Sequence, residues 1–157
     1  MNGLKGIWRM VFVLATFGGL AFWVVNFAIS RTPVAAEYRA ALSISYFPML
    51  IEALVGGLII GLGVSYFLLR FFDRIPVKDP IIKSVILSLI VLLIVTVSIG
   101  NPSSFYGTSD ALRYFLIGTL INVIRILALG IAIGYVCKRQ YKGINPSVVA
   151  AKPAELT

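Results

Sequence analysis

The stretch IIKSVILSLIVLLIVTVSIG, Ile81–Gly100, carries one lysine near its start and no further charge, and it decides the class of the molecule. At about 1.5 Å of rise per residue, the run from Ile81 to Ile99 just crosses a hydrocarbon core about 30 Å thick. Three further apolar runs flank it, Ile7–Ile29, Ile44–Leu69 and Ala111–Val136, each long enough to cross. An open strand edge leaves backbone groups unsatisfied in lipid, and four strands cannot close a barrel, so these runs are expected as helices. The predicted fold is all-α: a polytopic membrane protein with four transmembrane helices in an up-down bundle. The transmembrane domain is expected over 1–142 and a disordered tail over 143–157, where Pro146, Pro153 and small residues gather.

Composition agrees. The chain is 59% hydrophobic and only 13% charged, with mean hydropathy +0.97, well outside the soluble range of about 45–50% apolar and about 25% charged. The net charge of +8 comes from basic residues at the ends of apolar runs, not from a basic folded surface, so no nucleic-acid partner is expected. Zero histidines and a single cysteine remove the usual ligands of zinc, haem and iron–sulfur clusters and rule out an internal disulfide. No cofactor or metal is expected.

The placement of Lys and Arg sets the expected orientation. Lys5, Arg9, Arg70, Arg74, Lys78, Lys83, Lys138, Arg139, Lys142 and Lys152 fall on one side, against Arg31, Arg39 and Arg113 on the other. The positive-inside rule then puts both termini in the cytoplasm of a multi-pass cell-membrane protein. The first run is read as a span and not as a cleaved signal, because it exceeds the usual apolar core of a signal peptide, although VAAE (Val34–Glu37) would suit cleavage.

The connections are short. RTPVAAEYRAALS (Arg31–Ser43) reads equally well as a two-turn interfacial helix or as a solvated connector. RFFDRIPVKDP (Arg70–Pro80) ends the second span and starts the third, making a tight hairpin in which Asp73 and Asp79 sit among basic residues. Thr108 or Ser109 can cap the fourth span. The excess positive charge of Arg70, Arg74, Lys78, Lys138 and Arg139 suits contact with anionic lipid headgroups. A faint echo links GLGVSYFLLR (Gly61–Arg70) with GIAIGYVCKR (Gly130–Arg139), but Tyr and Arg belong at any inner boundary, so duplication is the weaker reading.

One residue breaks the apolar pattern. Arg125 lies near mid-membrane in INVIRILALG (Ile121–Gly130), where a charge costs about 2.5–3.5 kcal/mol on insertion scales and should face the bundle, a partner or water. Gly118, Asn122, Arg125, Ala128 and Ala132 form one stripe of the fourth span, and Ser45, Met49, Glu52, Gly56, Ile59 and Gly63 one of the second. Depth matching lets Glu52 and Arg125 meet, so Glu52, Asn122 and Arg125 are the candidate intramembrane polar site. Gly56, Gly57, Gly61, Gly63, Gly118, Gly130 and Gly134 are the expected helix-packing glycines, with GLIIG (Gly57–Gly61) and GIAIG (Gly130–Gly134) matching GxxxG. The second and fourth spans are accordingly expected at the centre, and the third largely against lipid.

Cys137 reads as an inert small hydrophobe or, less favoured, a palmitoylation site. Nothing in the sequence resembles a nucleophile elbow, phosphate loop or metal motif, and no enzymatic role is expected. Two functions compete. The first is an accessory or scaffolding subunit that assembles through its glycine faces, with itself or with another membrane protein, around a buried Glu52–Arg125 pair. The second is a small oligomeric transporter or channel that uses Glu52, Asn122 and Arg125 as its polar site.

Overall fold

The computed structural model describes residues 2–99 and 111–144. It consists of α1 (Asn2–Ser30), α2 (Pro33–Ala41), α3 (Tyr46–Arg70), a 3₁₀ turn (Phe72–Arg74), α4 (Pro80–Ile99) and α5 (Ala111–Ile144). All but α2 and the turn are long and apolar enough to cross a membrane, the qualifying segments being Ile7–Ser30, Tyr46–Arg70, Pro80–Val97 and Leu112–Gln140. The protein is a four-span helical bundle. The capping residues expected before α5 lie outside the described residues, as does the tail beyond Ile144. The last helix runs past the expected Val136, because Lys138, Arg139 and Gln140 favour helix once the apolar segment has ended.

Local chemistry sets the helix ends. Thr32 caps α2, its hydroxyl accepting from the Ala35 N–H at 3.3 Å, and Pro33 occupies the first position, where no N–H is needed. Ser43, at φ +53°, turns the chain from α2 into α3. At the opposite end, Asp79 Oδ1 accepts from the Ile81 N–H at 3.0 Å and Pro80 opens α4. The segment Arg31–Ser43 therefore resolves in favour of a short helix. Arg113 of α5 pins that helix through Glu37 at 2.9 Å, and Arg39 Nη1 donates to the Ser30 carbonyl at 3.0 Å.

The helices form a ring in which α1 packs on α3 and α5, α5 packs on α1 and α4, and α3 meets α4 only sparsely. This corrects the expectation that the second and fourth spans are central. α1 and α5 hold the core, while α3 and α5 lie diagonally opposed with little contact. Val11, Leu14, Val64, Leu68, Leu129, Ile133 and Cys137 are completely buried and fill the half of the bundle nearest the α3–α4 turn. Burial makes Cys137 a packing residue. α4 presents Leu89, Ile90, Leu93, Ile94 and Val97 outward, as expected of a lipid-facing span.

Because lipid is as apolar as the side chains, close approach at small residues holds such a bundle together. A Cβ on Gly61 would lie 2.9 Å from the Ala15 carbonyl oxygen, and one on Gly57 2.9 Å from the Phe22 ring. A Cβ on Gly130 would meet Ser88 Oγ at 2.5 Å, and one on Gly134 would meet Ile81 Cα at 2.5 Å. Gly118 lies under the Tyr38 hydroxyl, 2.6 Å from where its Cβ would stand. Gly56 and Gly63 are different: nothing lies within 4 Å of a Cβ at either. The buried face of α3 is Ala53, Gly57, Gly61, Val64 and Leu68, one residue on from the predicted stripe and hence about 100° round the helix. The sequence also conceals two close approaches on α1, where Gly18 faces Ile133 and Gly19 faces Leu58.

Candidate functional site

Near the α2 end of the bundle the packing opens into a cavity of about 180 Å³. Its wall takes Asn26 and Ser30 from α1, Tyr38 and Arg39 from α2, Met49 and Glu52 from α3, and Gly118, Asn122 and Arg125 from α5. The three predicted polar residues thus share one cavity. They do not form the predicted buried pair: Glu52 is exposed at the rim, Arg125 is half-buried, and no ion pair joins them among the described residues. The diagonal placement of α3 and α5 is the reason, since matching depth brings two groups together only on helices that touch.

Arg125 has other neighbours. Its guanidinium carbon lies 5.8 Å from the centre of the Phe22 ring, and its Nε is buried without a hydrogen-bond partner. Asn26 is 1% exposed, and its Nδ2 also lacks a partner. A buried donor left unsatisfied costs about 1–3 kcal/mol, so two on one wall mark a place where an acceptor would be welcome. Tyr38 roofs the cavity from α2. Burial pushes its phenol above the ordinary value while Arg125 pulls the other way, so at neutral pH it keeps its proton and can donate. Arg39 adds a second positive charge, stacked 4.9 Å over the Tyr46 ring.

The Ser30 hydroxyl, also on this wall, donates to the Phe27 carbonyl at 2.6 Å.

Two of these residues had a faint sequence signal. Asn26 and Ser30, four apart, make one polar face at the end of an otherwise apolar span, which is the signature that singled out the fourth span. Tyr38 and Arg39 carry none, because a nine-residue interfacial helix gives no clue to which of its side chains turns inward.

At the opposite end of the bundle lie the residues assigned to anionic lipid. Arg70, Arg74, Lys78 and Arg139 are exposed, and Trp8 stacks on Tyr66 at 5.9 Å beside them. Lys138 is engaged with Asp79 at 3.1 Å, which ties the α3–α4 turn to α5. Lys83 differs from the exposed basic residues around it: it is buried, donates through Nζ to the Phe72 carbonyl and lies 3.9 Å over the Phe72 ring. The Ile81 N–H and the Lys138 ammonium hold the Asp79 carboxyl below the ordinary range. A depressed carboxylate stabilises the fold above its unfolded pKa and loses that contribution as pH falls through the folded value. Thermal midpoints should therefore fall on acidification below about pH 4, the usual Asp value, and Asp79→Asn should blunt that part of the fall in a pH series of melts.

Comparison with protein-family models, curated proteins and solved structures finds no match to this chain. The fold and the spans define a small polytopic integral membrane protein in contact with the lipid bilayer.

Proposed function

We propose that the protein is a non-enzymatic, ligand-binding membrane protein of the transporter type, which admits an anionic group into the cavity between α1, α2, α3 and α5. Arg125 is the counter-charge, while Asn26, Asn122 and Tyr38 supply hydrogen-bond donors. One observation carries this reading: Arg125 and Asn26 both line this cavity, and each holds a buried nitrogen, Nε and Nδ2, that has no partner. Intramembrane ionisable groups mark ligand and ion pathways by default. The cavity's charged residues, Arg39 and Arg125 against Glu52, leave it net positive.

Two features favour this over the alternatives. Gly57, Gly61, Gly118, Gly130 and Gly134 are already occupied by contacts within the chain, which leaves little glycine face for a scaffold to offer a partner. The apolar cluster around Leu14, Leu129 and Ile133 fills the bundle beyond the cavity, so the described residues of a single copy leave no open channel. With the basic residues of the α3–α4 turn end in the cytoplasm, the cavity faces outward across the membrane.

The test is ligand-induced stabilisation of the protein in phosphatidylcholine nanodiscs. Inorganic phosphate, glycerol phosphate and butyl phosphate are compared with butylammonium. A ligand at a hundred times its Kd adds about 2.7 kcal/mol to stability. The phosphates should raise the thermal midpoint of the wild type and leave Arg125→Gln unmoved, and butylammonium should do nothing. A response that persists in Arg125→Gln, or no response to any phosphate, overturns the reading.

A further inference from the structure

Asn122 does not belong to the polar cavity alone. It also lines an apolar groove of about 260 Å³, whose walls are Phe22 of α1, Ile60 of α3, Leu92 and Val95 of α4, and Ile126 of α5. A third recess, of about 140 Å³, lies between them in the lining: it shares Tyr38, Gly118 and Asn122 with the cavity and Leu92, Thr96 and Asn122 with the groove. The groove lies where α3 and α4 touch only sparsely. Phe22, on its back wall, is also the ring that the Arg125 guanidinium faces. A positive, donor-rich chamber and an apolar slot thus share a residue on α5 and a ring contact on α1.

We infer that this composite site holds an anionic lipid, a phosphate-headed amphiphile with its head at Arg125 and Asn26 and its aliphatic chain in the α3–α4 groove. The inference rests on the anion-binding reading above and adds the class of ligand to it. Charge complementarity selects the head: the buried unpartnered donors at Asn26 and Arg125 need acceptors, and a phosphate oxygen array supplies several. Continuity selects the tail. A water-soluble anion would leave the groove to bulk lipid chains, whereas an amphiphile fills both parts at once. Because groove and bilayer interior are equally apolar, burial of the tail itself contributes little; the gain over a free head is that a chain lodged in the groove holds the head at the cavity at high effective concentration, and filling the groove removes that tether.

The experiment uses the full chain in phosphatidylcholine nanodiscs and three probes. These are a single-chain lysophosphatidate, lysophosphatidylcholine with the same tail but a zwitterionic head, and glycerol phosphate with the same head but no tail. Thermal midpoint and ligand retained in native mass spectrometry are read together. Lysophosphatidate should stay bound and raise the midpoint, lysophosphatidylcholine at equal mole fraction should not, and glycerol phosphate should need at least about tenfold more for an equal shift. Val95→Trp and the more exposed Thr96→Trp, which fill the groove from α4, should abolish lysophosphatidate retention and keep the glycerol phosphate response. If lysophosphatidate is retained undiminished in both folded variants, or lysophosphatidylcholine matches it, the lipid inference fails while anion binding stands. If neither phosphate acts on the wild type, both readings fail together.

Discussion

Replacing Gly134 by alanine should destabilise the protein, whereas the same change at Gly63 should not. Alanine is the better helix former by about 1 kcal/mol, so in open space the substitution helps. At Gly63 nothing lies within 4 Å of the new methyl, and a small gain in stability is expected. At Gly134 the methyl would stand 2.5 Å from Ile81 Cα and 3.1 Å from the Pro80 carbonyl oxygen. Both are backbone atoms at the start of α4, unable to swing aside as a side chain would. Overpacking of this kind costs about 1–3 kcal/mol, enough to outweigh the propensity gain, and Gly134→Leu should detach α4 from α5. Reversible unfolding in mixed micelles, with helicity and tryptophan emission as probes, measures the two alanine variants side by side. Equal effects at the two positions would mean that the packed faces of α3 and α5 are wrongly placed.

That contrast also marks how far the sequence could be read. The four spans were legible because a run such as Ile81–Ile99 has one physical outcome in lipid, and the prolines at Pro76 and Pro80 punctuate the α3–α4 turn. Facing was less legible. The stripe through Glu52, Gly56 and Gly63 and the true packed stripe through Ala53, Gly57 and Gly61 differ by one residue, and in a helix of nearly uniform hydrophobicity the charge at Glu52 drew the reading towards the wrong face. Neighbour order was not legible at all. Nothing in the hydropathy of α1 says that it, and not α3, packs along α5; the signal is steric and lies in Gly18, which sits against Ile133 and Leu129 of α5. The candidate site fared in the same way. Glu52, Asn122 and Arg125 line one cavity, but the donors that complete it come from α1 and α2, whose contribution depends on that neighbour order.

On the reading proposed above, Arg125 is kept within the span for its ligand and not for stability. Its Nε has no partner, its guanidinium carbon lies 5.8 Å from the centre of the Phe22 ring, and no ion pair connects it to Glu52 among the described residues. A contact of that kind with a ring contributes about 0.5–2 kcal/mol. Against it stand the insertion cost of about 2.5–3.5 kcal/mol and an unsatisfied donor worth about 1–3 kcal/mol. Methionine, unbranched and adaptable, fills much of the same space without either cost. Arg125→Met should therefore fold, assemble as the wild type does and gain about 1–3 kcal/mol, while losing its response to phosphates. Such opposition of stability and binding is what a residue retained for a ligand shows.

The most direct measurement is thus the unfolding free energy of wild type and Arg125→Met in the same nanodiscs, with and without glycerol phosphate. The account predicts that the variant is the more stable of the two without ligand and that glycerol phosphate stabilises only the wild type. If Arg125→Met is instead destabilised by the roughly 3–5 kcal/mol that follows from breaking a buried ion pair, Arg125 holds the bundle together and the ligand-binding account is wrong.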